Sequence, residues 1–234
     1  MAVTRAQKGV SLRLENLGQF NPLTENQAEA QRFWNKNENL LLNGSAGTGK
    51  TYMAIHFALE EILDKETDYK FLKIVRSVVP TRDSGFLPGT KEEKEDPYNK
   101  PYSGIFHELF NDKEAYKKMT DSGLVEFEST SHIRGVTWNN CIIVVDEMQN
   151  LNFHELDSVI TRIGKNCRII FCGDYYQTDF RYEDEKNGIL KFINIIEQLK
   201  GFSTVTFTWS DIIRSGVVRD YIMTKEVLKK NGQI

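Results

Sequence analysis

Gly44-Ser-Ala-Gly-Thr-Gly-Lys-Thr51 decides the fold of this chain. It matches the phosphate-binding pattern of Gly, four residues, then Gly-Lys-Ser/Thr. The backbone of Gly44, Ser45, Ala46, Gly47, Thr48 and Gly49 can bend so that successive N–H groups face one concavity. With the positive end of the following helix, that concavity cradles α- and β-phosphates. Lys50 would neutralise the β/γ oxygens, and Thr51 would offer its hydroxyl to Mg²⁺. The flanks suit this reading. Asn39–Asn43 reads as a short buried strand, and Tyr52–Leu63 carries Met53, Ile55, Phe57, Leu59 and Ile62 at helical spacing. A glycine-rich turn that binds nothing is the plainer alternative, and the strand–loop–helix context weighs against it.

At 234 residues the chain suits one large α/β domain, read as residues 23–234 after a mobile N-terminal arm at 1–22. A basic arm touching nucleic acid, through Arg5, Lys8 and Arg13, is the alternative for that segment. The formal charge of −3 neither points to nucleic acid nor excludes a local basic groove. No apolar run is long enough to span a membrane, and Met1–Lys8 lacks the apolar core of a signal peptide, so a cytoplasmic location is expected. The three cysteines, Cys141, Cys167 and Cys172, lack metal-ligand spacing and read as buried thiols.

Further apolar runs alternate with helical patterns. Strands are expected at Phe71–Ser77, Leu124–Glu128, Cys141–Val145, Arg168–Cys172 and Ser203–Phe207. Helices are expected from Thr24 to about Trp34, then at Gly104–Met119, Phe153–Ile163 and Ile189–Leu199. A last helix would be capped by Asp211. Residues 78–103, broken by four prolines, read as a long polar loop. This alternation argues for a parallel sheet covered by helices on both faces, with polar residues gathered at the C-terminal strand ends.

The unbroken apolar strand 141–145 ends in Asp146-Glu147. Paired with the phosphate loop, these form the second half of an NTP-hydrolysing site. Asp146 would hold Mg²⁺ through its water shell, and Glu147 would orient the attacking water or take its proton. Gln177 lies just past the next strand, where a neutral amide can sense the γ-phosphate. Gln27 has two readings, a capping box with Thr24 or a contact to the adenine edge. Arg76, Arg134, Arg162 and Arg214 are candidates for the arginine that compensates phosphoryl charge.

The chain resembles the PhoH family of P-loop ATPases, which is similar to the first motor domain of superfamily-one helicases. The matching stretches include Gly85-Phe-Leu-Pro-Gly89, Asp96-Pro-Tyr98, Asp146-Glu-Met-Gln-Asn150, Thr161-Arg-Ile-Gly164, Gly173-Asp174 with Gln177, and Asp211-Ile-Ile-Arg-Ser215. The resemblance runs from about Thr24 to Tyr221. Met148 departs from it, standing where Ala is usual, and so do Tyr175-Tyr176 before Gln177. The resemblance implies a RecA-like fold, ATP and Mg²⁺ as cofactors, assembly into a hexameric ring, and single-stranded RNA or DNA as partner. It favours Gln27 as an adenine contact, and Arg214 ahead of Arg162 as an arginine finger. A compact chain of this kind resembles a stand-alone, phage-encoded member.

From the residues themselves, nucleic acid rests on Lys73, Arg76, Arg82 and Arg134, with Tyr98, Tyr102, Tyr175 and Tyr176 able to stack on bases or simply to pack. A small-molecule phosphotransferase and a slowly hydrolysing nucleotide switch are the competing classes. Glu147 beside Asp146, with Gln177, suits water activation better than transfer to an alcohol.

Overall fold

Each apolar run read as a strand forms one, and the six strands are parallel. The computed structural model describes residues 12–77, 91–130, 133, 135–174 and 183–233. The strands are β1 (Asn39–Gly44), β2 (Phe71–Arg76), β3 (Val125–Ser129), β4 (Cys141–Val145), β5 (Cys167–Gly173) and β6 (Phe202–Phe207), in the spatial order β3-β2-β4-β5-β1-β6. Seven helices accompany them: α1 (Glu25–Asn35), α2 (Lys50–Leu63), α3 (Lys91–Phe110), α4 (Ala115–Ser122), α5 (Phe153–Ile160), α6 (Glu183–Ile196) and α7 (Gly216–Lys230).

Strand side chains alternate between two cores because successive residues point to opposite faces. Leu40, Leu42, Ile74, Ile142 and Val144 pack against α2, α3 and α4. Leu41, Val75, Ile143, Val145 and Phe171 pack against α5 and α6. A strand with both faces covered must be apolar throughout, which is why Cys141–Val145 has no polar position. β5 lies between β1 and β4, so the tips of these three strands, Gly44, Gly173 and Val145, lie side by side at one sheet edge.

The region after β2 departs from expectation. Residues 91–103, read as loop, are helical, and α3 runs through positions 97 and 101 although both are proline. Proline inside a helix costs about 3 kcal/mol or more through its lost N–H and its clash with the preceding turn. Opposing that cost, α3 buries Tyr102, Phe106, Leu109 and Phe110 at i, i+4, i+7 and i+8. Asn111, at φ 51°, separates α3 from α4. Helix α5 ends at Ile160, earlier than expected, and α6 begins at Glu183, ahead of the expected start at Ile189.

Asp211 does not cap the last helix. It ends a short 3-10 turn, Trp209–Asp211, and α7 starts only at Gly216. Its Oδ2 accepts from the Thr208 N–H and from Asn26 Nδ2, both at 2.8 Å, fastening α1 to the end of β6. Of the segment read as an arm, residues 12–22 lie against the domain. Leu12 is buried, the Gly18 N–H donates to the Leu109 carbonyl at 2.8 Å, and Phe20 meets Phe57 edge-on. Residues 1–11 lie outside the described residues.

Candidate nucleotide site

The loop from Gly44 to Gly49 leaves the tip of β1 and delivers Lys50 and Thr51 as the first residues of α2. Gly47 has φ 77°, a conformation that side-chain-bearing residues rarely adopt. A Cβ there would also come within 2.9 Å of Arg214 Cγ. Lys50 Nζ donates to the carbonyls of Gly44 and Ser45, each at 2.7 Å. Burial pushes its ammonium below the ordinary lysine value, and the surrounding carboxylates, Asp174 foremost, pull the other way.

Thr51 donates its hydroxyl to Asp146 Oδ1 at 2.6 Å. The other oxygen of Asp146 accepts from the Tyr102 hydroxyl at 2.9 Å and lies 4.0 Å from Arg76 Nη1. Burial, then the Asp146 charge, holds the Tyr102 phenol well above its usual value, so it remains a donor. Burial opposes the Arg76 charge, and Tyr102, Asp146 and Glu147 more than offset it. Thr51 and Asp146 present hard oxygen donors at the mouth of the phosphate loop, a set that suits Mg²⁺. Among the described residues no three His, Cys, Asp or Glu gather into a metal cage. Mg²⁺ does not need one, because it keeps several waters and takes one or two protein oxygens beside the substrate's phosphates.

Glu147 follows in a left-handed conformation, φ 52° and ψ 44°. Such a backbone costs a non-glycine residue about 1–3 kcal/mol and persists where the surroundings impose it. Gln149 supplies part of that constraint. Its Nε2 donates to Glu147 Oε2, and its Oε1 accepts from the Asp174 N–H at 3.0 Å, so one amide links the tips of β4 and β5. Met148 packs on the tip of β5, and a Cβ at Gly173 would fall 2.3 Å from Met148 Cγ. The unusual methionine therefore occupies space that glycine leaves open.

Not every expected site residue joins this cluster. Gln27 is buried beside the loop, with Nε2 donating to the Thr48 carbonyl at 3.0 Å and Oε1 accepting from the Leu23 N–H at 2.8 Å. Its amide braces the loop, and Thr24 accepts from the Gln27 N–H as its cap. Arg214 lies on the same chain's loop, where the Ile213 N–H donates to the Gly47 carbonyl at 3.1 Å. Arg162 lies at the other edge of the sheet. Helix α5 runs back to the strand starts, and there Arg162 Nε donates to the Ile133 carbonyl at 3.1 Å. Gly164 of the same Thr-Arg-Ile-Gly stretch packs tightly on the Trp138 carbonyl. Gln177, Arg82, Arg134, Tyr175 and Tyr176 lie outside the described residues, as does the Tyr98 side chain.

Two proposed nucleic-acid contacts are corrected. Lys73 is buried between the Phe71 and Trp138 rings, with Glu126 at 2.7 Å and Glu128 at 3.7 Å, so it is neutralised and hidden from a phosphate backbone. Tyr102 is 0% exposed and cannot stack on a base. Sequence reasoning missed Tyr102 as a partner of Asp146. It falls in the stretch 78–103 that reads as loop, ahead of the helix expected from Gly104, so nothing local pointed to it. Cys141 and Cys172 are buried as expected, whereas Cys167 is partly exposed.

Residues 19–225 match the family described as "PhoH-like protein". Similar curated proteins include "Protein PhoH2" of Bacillus subtilis, 37% identical over 164 residues, covering 68% of this chain and 36% of that protein. A "PhoH-like protein" of the same organism is 28% identical over 221 residues, 94% of this chain and 66% of that one. The chain thus spans about one third to two thirds of these relatives' length. Among solved structures, the Pyrococcus furiosus Hef helicase domain aligns over 80% of this chain and 39% of its own, at 13% identity and TM-score 0.46, too loose a likeness to carry further reading. No helix among the described residues is long and apolar enough to cross a membrane.

Proposed function

The chain belongs to the PhoH family, and we propose that it is an Mg²⁺-dependent ATPase that couples hydrolysis to binding or remodelling single-stranded RNA or DNA as a ring. The observation that carries the ATPase reading is the convergence of Lys50, Thr51 and Asp146 at the tips of β1 and β4, with Glu147 beside them. Lys50 would leave its loop carbonyls for the β/γ oxygens. Thr51 and Asp146 would hold Mg²⁺, which when bound neutralises phosphate charge. Glu147 would orient the attacking water and accept its proton, held in place by Gln149.

In this reading Gln177 senses the γ-phosphate. Gln27 shapes the nucleotide pocket through Thr48, and its remaining amide hydrogen and lone pair are what it could offer to adenine. Arg214 is the arginine finger, acting on the loop of its own chain because its neighbour Ile213 is bonded to the Gly47 carbonyl. Nucleic acid rests on the helicase-like resemblance and on Arg76 at the catalytic edge. The ring rests on the family likeness and on the benefit of closing an open phosphate site against water.

ATP turnover measured with and without Mg²⁺, single-stranded RNA, single-stranded DNA and small alcohol acceptors tests the proposal. Mg²⁺-dependent phosphate release, stimulated by a single strand, is expected. Phosphate appearing on the acceptor would make the protein a phosphotransferase. Tight binding with negligible turnover would make it a nucleotide switch.

A further inference from the structure

Residue 102 sits among apolar neighbours. Its ring lies 6.3 Å from Tyr116 and 6.1 Å from Phe127, in the same core as Phe106, Leu109 and Met119. Phenylalanine would satisfy that packing. A hydroxyl there carries a desolvation cost unless it is bonded, and this one is bonded to Asp146 Oδ2 at 2.9 Å. The two oxygens of Asp146 are thus divided. Oδ2 is held from behind by Tyr102, with Arg76 at 4.0 Å, and Oδ1 meets Thr51 at the loop.

We propose that Tyr102 is a positioning residue for the metal-binding carboxylate: its hydroxyl fixes the rotation of Asp146 so that Oδ1 faces Thr51. The inference rests on the ATPase reading above and adds to it a residue from outside the phosphate loop and the Asp-Glu pair. An aspartate bonded only through Oδ1 could turn about its Cβ–Cγ bond. The second hydrogen bond, from a ring fully enclosed by the core, removes that freedom. Because the ring is rigid and α3 carries it, the hydroxyl's position follows the position of α3 against β3 and β4. A hydrogen bond is steep in distance and angle, so a small displacement of α3 along its axis would release Asp146. Metal affinity is thereby tied to the seating of a helix that contributes no atom to the phosphate loop.

The test uses Mn²⁺ as a paramagnetic probe, titrated into the full chain with ADP and followed by electron spin resonance, so no turnover is needed. Tyr102→Phe is expected to weaken Mn²⁺ binding about 10- to 100-fold, the usual effect of removing a residue that orients a metal ligand. ADP binding without metal should stay unchanged, and the Mg²⁺ requirement for turnover should shift upward by a similar factor. Met119→Leu, a volume-conserving change in the same core that leaves α3 seated and the hydroxyl in place, should keep wild-type Mn²⁺ affinity. Tyr102→Met, also lacking the hydroxyl, repeats the measurement if the phenylalanine variant yields little folded protein. Wild-type Mn²⁺ affinity in a folded Tyr102→Phe protein, with Asp146→Asn binding weakly, overturns the role of Tyr102 and leaves the ATPase reading standing. Unchanged affinity in both variants overturns the metal site itself.

Discussion

Thr51 and Asp146 stand 95 positions apart in the chain and 2.6 Å apart in space, hydroxyl to carboxylate. Helix α2 begins at the tip of β1 and β4 ends two strands away, so parallel strands of matched length bring the two side chains to one edge. The expectations below turn on this meeting point.

Lys50→Ala is expected to leave the fold intact and to lower ATP turnover by at least ~10²-fold, as loss of a preorganised charge donor does. Among the described residues the lysine's hydrogen bonds run to its own loop, to Gly44, Ser45 and Thr48. Circular dichroism and phosphate release on the same sample check both halves. Normal turnover by the folded variant would remove Lys50 from the site.

Glu147→Gln should bind Mg·ATP and hydrolyse it ~10²–10⁴-fold more slowly, because an amide holds the water but cannot accept its proton. Asp146→Asn should differ in kind, raising the Mg²⁺ concentration needed for half-maximal turnover. Pre-steady-state phosphate release with radiolabelled ATP separates binding from chemistry. An unaltered rate for Glu147→Gln would mean that another residue is the base.

Arg214→Ala subunits, mixed with Lys50→Ala subunits, should recover no activity. Ile213, next to Arg214, is bonded to Gly47 of its own chain, so each mixed site keeps one lesion. Recovery in demonstrably mixed assemblies would show that the arginine serves a neighbour. Arg162→Ala should act on stability instead, costing about 0.5–1.5 kcal/mol for the lost bond to the Ile133 carbonyl, read by denaturant unfolding.

Cys167 should be alkylated by iodoacetamide with a pH midpoint near its lowered value, about 6. The hydrogen bond shared with Cys141, whose sulfur is 3.6 Å away across β4 and β5, is the main cause, and it raises Cys141 in turn. Below that pH the thiol is protonated and unreactive; above it the thiolate attacks. Cys141→Ala should move the midpoint upward toward an ordinary thiol at ~8.5. Mass spectrometry of the labelled peptide gives the curve, and a native midpoint already near 8.5 would refute the pairing.

Much of this site could be read from the sequence because its parts are local. Gly44–Thr51 and the run Cys141–Glu147 each carry their own strand, turn and chemistry within a few residues. Tyr102 could not be read this way. Its role depends on α3 docking over β4, a contact between positions 44 apart. The first half of α3 was also hidden, since Pro97 and Pro101 argue locally for loop and only packing of the later turns outweighs them. Lys73 looked like a phosphate contact because its partners, Glu126 and Trp138, come from a neighbouring strand and a distant loop. Arg162 reads as the second candidate finger from its place at the end of the helix after Glu147, and within one chain the direction of α5 takes it to the far edge.

The bond from Ile213 to Gly47 also bears on biosynthesis. The phosphate loop is complete in sequence at Thr51, yet its covering segment, and the β6 strand beside β1, are made more than 150 residues later. At ~5–20 residues per second, that interval is on the order of ten to thirty seconds. A nascent chain thus carries a finished ATP signature that lacks its strap and one flanking strand until those residues are made. Nucleotide capture should therefore wait until that segment has left the ribosome. Ribosome-bound chains stalled before Trp209 should fail to cross-link a photoreactive ATP analogue that the folded protein, with Ile213 bonded to Gly47, takes up.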